Sequence, residues 1–213
     1  MKGERVYVWE VPVRLTHWVI VLAILVLSAT GFYIGHPVVG GSVSLMAWVR
    51  GIHRLTAWVF VASLLLRTYW AFAGNQWASW RALFPYLTAE GRRGMVGVFS
   101  YYTFLRWRPP SFTGHNPLAG TAYSAVVLLM IVEVVTGFAL QSLGGGGWRH
   151  ALFGWVFSVM SLQGVRLTHH LIMWLLLGFM VHHVYSSALM DAEEKNGTLT
   201  SIFTGYKFGG RRA

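Results

Sequence analysis

The sequence has 213 residues, of which 55% are hydrophobic, 15% aromatic and only 11% charged. Soluble domains carry about a quarter charged residues, so an ordinary soluble globular domain is excluded and a membrane protein is expected. A net charge of +10 and nine histidines come with no cysteine, which excludes c-type haem attachment, cysteine-ligated iron–sulfur clusters and disulfides on this chain.

In chain order, residues 1–14 form a short basic entry segment. The first apolar run, 15–33, is close to the ~20 residues that a spanning helix needs. It is too long for a signal peptide and lacks a small-residue cleavage site, so it is expected to stay as an uncleaved anchor. Residues 34–50, with His36, Pro37 and a Gly40-Gly41 turn, are expected as an external loop. A second span is expected over 55–73. Residues 74–117 form the longest loop, in which 95–107 mixes Arg with Trp, Tyr and Phe and reads as an interfacial helix. The third span is expected over 118–140. The glycine run 144–147 lacks the Lys and Ser/Thr of a phosphate loop, so it carries no nucleotide role. Residues 151–164 are uncharged but too short to span, and fit a surface or re-entrant helix. The fourth span is expected over 168–189. With no repeat and no second domain in view, the expectation is one all-α membrane domain, 1–213, a four-helix bundle with short interfacial helices.

The basic residues sort by side. With the N-terminus inside, the inner segments hold Lys2, Arg5, Arg14, Arg67, Arg81, Arg92, Arg93, Arg106, Arg108, Lys195, Lys207, Arg211 and Arg212. The outer segments hold Arg50, Arg54, Arg149 and Arg166. Thirteen against four is a positive-inside bias that puts both termini in the cytoplasm. The basic excess therefore sets orientation and meets anionic lipid; a nucleic-acid partner is not implied.

The fourth span carries the main chemical signal. Fourteen residues separate His169 from His183, which at ~100° per residue turn through about 1,400°, only some 40° short of four turns. The two rings share a face roughly 21 Å apart along the helix. The pairs His169/His182 and His170/His183 point about 140° apart. By the charge-derived topology His169 is outer and His183 inner. His17, at the inner start of the first span, matches His183 in depth. His53, at the outer start of the second span, matches His169. Two neutral imidazoles on opposite faces of a haem fill both axial positions, so such a group carries electrons and has no open site for oxygen. The expectation is haem iron held by His17 with His183 at the inner side and by His53 with His169 at the outer side. Taken alone, His17 or His53 also reads as a polar interface anchor. Together with the span IV pair, an intramembrane constellation reads as functional. His170 and His182 are expected as neighbours, and His36 and His150 as loop histidines.

The motifs resemble those of the b-type cytochrome subunits of membrane-bound nickel–iron uptake hydrogenases, over nearly the whole chain. Val11-Pro12-Val13-Arg14-Leu15-Thr16-His17-Trp18 with Thr30-Gly31 is similar to the family's first-span motif. Arg67-Thr68-Tyr69-Trp70-Ala71-Phe72 and Gly114-His115-Asn116-Pro117 resemble its central loop borders, and Thr136-Gly137-Phe138-Ala139-Leu140 its third-span end. His169-His170-Leu171 with Trp174, Phe179 and His183-Val184-Tyr185 resembles its fourth-span motif, the most specific of the set. The resemblance implies two b haems on the same four histidines. It also implies an electron route from the hydrogenase small subunit, and through it the large subunit, to membrane quinone in a bacterial inner membrane. The chain itself is then an electron-transfer subunit and not the part that activates hydrogen. Two departures stand out: Arg166-Leu167-Thr168 where a histidine and a small residue are expected, and Glu133 where an apolar residue is expected.

Glu133 has two readings, a neutral carboxyl bonded to a neighbouring helix or a proton relay. His115, Asn116 and Tyr185 are candidates to meet a quinone oxygen, against helix capping and interfacial anchoring. Two other functions compete. An equivalent cytochrome of another respiratory oxidoreductase, such as formate dehydrogenase, keeps the haems and changes the partner. A histidine-using transporter loses the haems, and would be expected to show broken helices and repeats, which the sequence lacks.

Overall fold

The computed structural model describes residues 4–37, 42–107, 110, 112, 114, 116–145 and 147–208. Strand β1 (Arg5–Tyr7) leads into α1 (Val11–Gly35) and α2 (Val43–Ala73), followed by α3 (Trp80–Leu83), a 3-10 turn (Pro85–Leu87) and α4 (Ala89–Tyr102). Then come α5 (Pro117–Ser142), α6 (Trp148–Phe153), α7 (Val156–Val159), α8 (Leu162–Glu194), α9 (Thr198–Thr204) and β2 (Tyr206–Phe208). Helices α1, α2, α5 and α8 are long and apolar enough to cross a membrane. Each contains one of the four spans expected from the sequence. Large apolar side chains on all four face outward, among them Leu22, Leu65, Leu128 and Val181. Such surfaces suit lipid, where the helix satisfies its own backbone polar groups.

Three segments differ from expectation. The region 34–50 is not all loop, because α2 resumes at Val43 and Ser42 Oγ caps it by accepting from Leu45 N at 3.1 Å. The Gly40-Gly41 turn lies outside the described residues. The interfacial helix runs earlier than 95–107. Thr88 Oγ1 accepts from Gly91 N and starts α4 at Ala89, and Phe104 in the left-handed region (φ 60°) ends it. The stretch 151–164 is divided among α6, α7 and the start of α8, so it is no single helix. His150 accordingly sits in α6 and not in a loop.

The chain divides into two compact units. One comprises Met1–Leu22, Ala62–Ala125 and His183–Ala213, the other Ala23–Val61 and Val126–His182. In the first, β1 and β2 pair antiparallel, Arg5 opposite Phe208 and Tyr7 opposite Tyr206. The pairing continues as Val8 N and Trp9 N both donate to Gly205 O, at 2.8 and 3.0 Å. Gly205 has φ 88°, and a Cβ there would come within 2.6 Å of the Tyr7 ring, so glycine is required on both counts. Val8, Trp9, Val13 and Ala78 form the core beneath, and Trp9 Nε1 donates to Ser201 Oγ at 3.0 Å. Glu10 Oε2 accepts from Trp70 Nε1 and from Asn75 N, tying the entry segment to the end of α2. Lys207, counted by sequence among the inner basic residues, is buried and reaches Gly114 O. Burial pushes its amine below the ordinary value, partly offset by the Glu194 and Asp191 carboxylates.

In the second unit, Ala139, Val156 and Val165 make a small core with Phe153 and Phe157 around it. Phe138 bridges Trp58, at 4.7 Å between ring centres, and Phe153, stacked at 5.3 Å. These large rings bring α2, α5 and α6 together around the cavity described next.

Candidate functional site

The second unit contains a cavity of about 770 Å³ lined by His53 from α2 and His169 from α8. That volume is within the ~300–1,000 Å³ range of cofactor and ligand pockets. Its wall is largely apolar and includes Phe60, Phe138, Met173 and Leu176, with Gly31 and Gly137 beside the histidines. Three arginines, Arg50, Arg54 and Arg166, also line it. They are three of the four basic residues assigned to the outer side by charge. Arg166 thus contributes to the wall of the cavity.

Each of these histidines is held through Nδ1. Thr30 Oγ1 lies 2.8 Å from His53 Nδ1, and Thr136 Oγ1 lies 3.0 Å from His169 Nδ1. Glu133 Oε1 stands 3.3 Å from the same His169 nitrogen. This agrees with the reading of Glu133 as a carboxyl engaged with a neighbouring helix, here α8. Neither threonine was singled out by sequence for this contact. The signal was present in the two Thr-Gly pairs, but a threonine in an apolar helix ordinarily bonds only to its own preceding turn.

The first unit brings His17 and His183 together, with ring centres 6.3 Å apart and planes at 55°. Two imidazoles ligating one metal ion from opposite sides, with metal–nitrogen bonds of about 2 Å, have ring centres roughly 6 Å apart. His183 Nδ1 faces Tyr123 Oη at 3.4 Å, a contact the sequence did not suggest. His17 Nδ1 is buried without a hydrogen-bond partner among the described residues, and Trp18 packs edge-on against its ring at 5.2 Å. The first unit thus offers two imidazole rings at bis-ligand spacing, and the second a roomy, largely apolar cavity lined by two histidines and three arginines.

The remaining candidates are less gathered. His170 is a neighbour, with Phe32 at 6.3 Å and His36 at 6.5 Å between ring centres. His115 lies outside the described residues. Asn116 caps α5, its Oδ1 accepting from Ala119 N at 2.7 Å. Tyr185 is exposed on α8. No cluster of three or more His, Cys, Asp or Glu residues able to hold a bare metal ion occurs among the described residues.

A family model described as prokaryotic cytochrome b561 matches residues 8–205. A Rhizobium leguminosarum bv. viciae protein named probable Ni/Fe-hydrogenase B-type cytochrome subunit is 36% identical, over 96% of this chain and 90% of its own length. A Cupriavidus necator protein of the same name is 38% identical, over 96% of this chain and 87% of its own. The probable Ni/Fe-hydrogenase 1 B-type cytochrome subunit of Escherichia coli K12 is 34% identical, over 95% and 92%.

Proposed function

The chain belongs to the prokaryotic cytochrome b561 family, and on that premise we propose that it is the b-type cytochrome subunit of a membrane-bound nickel–iron hydrogenase. It acts as one multi-pass bundle in a bacterial inner membrane, anchors the external enzyme through its iron–sulfur small subunit and delivers electrons to membrane quinone. The relatives' names support the partner. The pairing of β1 with β2 keeps the two chain ends together and supports both termini lying on one side, the cytoplasmic side by charge bias.

The 6.3 Å separation of the His17 and His183 rings carries the reading. These two residues would hold one b haem, and His53 with His169 a second. A haem held by two imidazoles exchanges single electrons and leaves no open position for oxygen. Arg50, Arg54 and Arg166 would bind the carboxylates of the group in their cavity through paired N–H donors. Phe60, Phe138, Met173 and Leu176 keep water from it. One helix, α8, supplies a ligand to each pair, His169 to the outer and His183 to the inner. Quinone would be met at the inner side by His115, Asn116 and Tyr185. Asn116 offers its amide N–H there, because its oxygen is engaged by Ala119.

The test is haem content and the visible spectrum of the purified chain. Two low-spin b haems are expected, with His169→Ala losing one and His183→Ala the other. In a complex with its hydrogenase, His183→Ala should leave hydrogen-driven reduction at the outer pair intact and strongly slow quinone reduction. A colourless wild-type chain, or variants that lose neither haem, would reject the assignment.

A further inference from the structure

A threonine hydroxyl has one hydrogen to give. Thr30 Oγ1 lies 2.7 Å from Val26 O and 3.1 Å from Leu27 O, the bond a helical threonine makes to its preceding turn. Those carbonyls can only accept, so the hydrogen is committed to them. The same oxygen is 2.8 Å from His53 Nδ1 and can only accept from it. His53 therefore carries its proton on Nδ1, and Nε2 presents the lone pair.

Thr136 repeats the arrangement on α5. Its Oγ1 is 2.8 Å from Val132 O and 3.1 Å from Glu133 O, and accepts from His169 Nδ1 at 3.0 Å, a nitrogen that Glu133 Oε1 also approaches at 3.3 Å. A glycine follows each threonine and packs against the edge of the same ring. A Cβ at Gly31 would meet His53 Cε1 at 3.7 Å, and one at Gly137 would meet His169 Cε1 at 3.0 Å. Cε1 lies between the two ring nitrogens, so a side chain at Gly137 would press on the ring beside its bonding edge. The hydroxyl accepts the Nδ1 proton in both copies, and at Gly137 the missing side chain also leaves the His169 ring its room, whereas the gap at Gly31 is an ordinary one.

We infer that Thr30-Gly31 and Thr136-Gly137 are two copies of one positioning device, which presents His53 and His169 to a metal through Nε2. The inference rests on the proposed ligation by these two histidines. An Nδ1–H held by oxygen also makes Nε2 a stronger donor, which favours the oxidised metal and lowers its potential. His17 differs, its buried Nδ1 having no such acceptor among the described residues.

The experiment compares Thr30→Val, Thr136→Val and the corresponding serine variants in the full chain, reading haem content and midpoint potential by spectroelectrochemistry. Thr68→Val is the control, because Thr68 makes the same back-bond to Leu64 O at 2.8 Å with no imidazole on it among the described residues. The valine variants should hold one of the two haems about 10- to 100-fold more weakly. Whatever remains there should titrate at a higher potential. Serine should restore both properties, and Thr68→Val should match the wild type. The haem at His17 and His183 reports that the variants fold. Valine variants with unchanged potential and content would overturn the inference, as would serine variants as impaired as valine. A wild-type chain without haem would instead reject the ligation reading on which it rests.

Discussion

Replacing Gly31, Gly137 and Gly178 one at a time by alanine makes the same chemical change in three surroundings. Each lies inside a long helix, where alanine is favoured over glycine by about 1 kcal/mol. At Gly178 nothing lies within 4 Å of the new Cβ, and at Gly31 the nearest atom, His53 Cε1, is at an ordinary 3.7 Å. At Gly137 the contact with His169 Cε1 is 3.0 Å, so reaching 3.4 Å requires the ring to retreat about 0.4 Å. Along the Thr136 bond that retreat stretches 3.0 Å to about 3.4 Å, beyond the usual hydrogen-bond range. A neutral hydrogen bond is worth about 1 kcal/mol, or roughly fivefold in an equilibrium. Gly137→Ala should therefore melt close to wild type, its helical gain offsetting the lost bond, yet hold one haem about fivefold more weakly. Transfer of haem to a scavenging apoprotein measures the second quantity, and a thermal melt followed by circular dichroism the first. Gly178→Ala should transfer haem at the wild-type rate and melt no lower. If Gly137→Ala retained haem as firmly as Gly178→Ala, the close approach of α5 to His169 would have no bearing on the site.

Ser201→Ala removes the acceptor for Trp9 Nε1 and should lower stability by about 1 kcal/mol in a denaturation curve; an unchanged curve would mean that this bond adds nothing to the other contacts between the terminal segments. Burial sets the Lys207 amine below its ordinary 10.5, so folding disfavours its charged form. Wild-type stability should accordingly rise as pH climbs from the folded value towards 10.5, while Lys207→Met stays flat over that window, and parallel curves would contradict the burial argument. Tags at both termini should resist protease in intact spheroplasts and be cut in inverted vesicles; cleavage of the C-terminal tag from outside would undo the orientation and the depth pairing of the histidines.

The four spans were legible because lipid demands long apolar runs and leaves few alternatives. The nearness of the His17 and His183 rings was legible from helical geometry combined with charge bias, two arguments that share no input. What escaped was whatever depends on residues far apart in sequence or on a residue with two uses. The contact of Trp9 with Ser201 spans 192 positions, and nothing local in either segment announces it. Thr30 and Thr136 look like ordinary helical threonines until a ring from another helix arrives. The early start of α2 was hidden by glycines upstream, although Ser42 gave a capping signal that outweighed them.

The pairing of β1 with β2 also bears on the order of assembly. The unit holding His53 and His169 is built from residues 23–61 and 126–182, so its sequence is complete while the last segment of the chain is still being made. The unit holding His17 and His183 needs residues 183–213 as well, and β1 waits for β2, which ends at Phe208. Since segments fold as they emerge, the unit with His53 and His169 can form first. His17 and His183 then come together, and β1 finds its partner, only after the segment through Phe208 has been made.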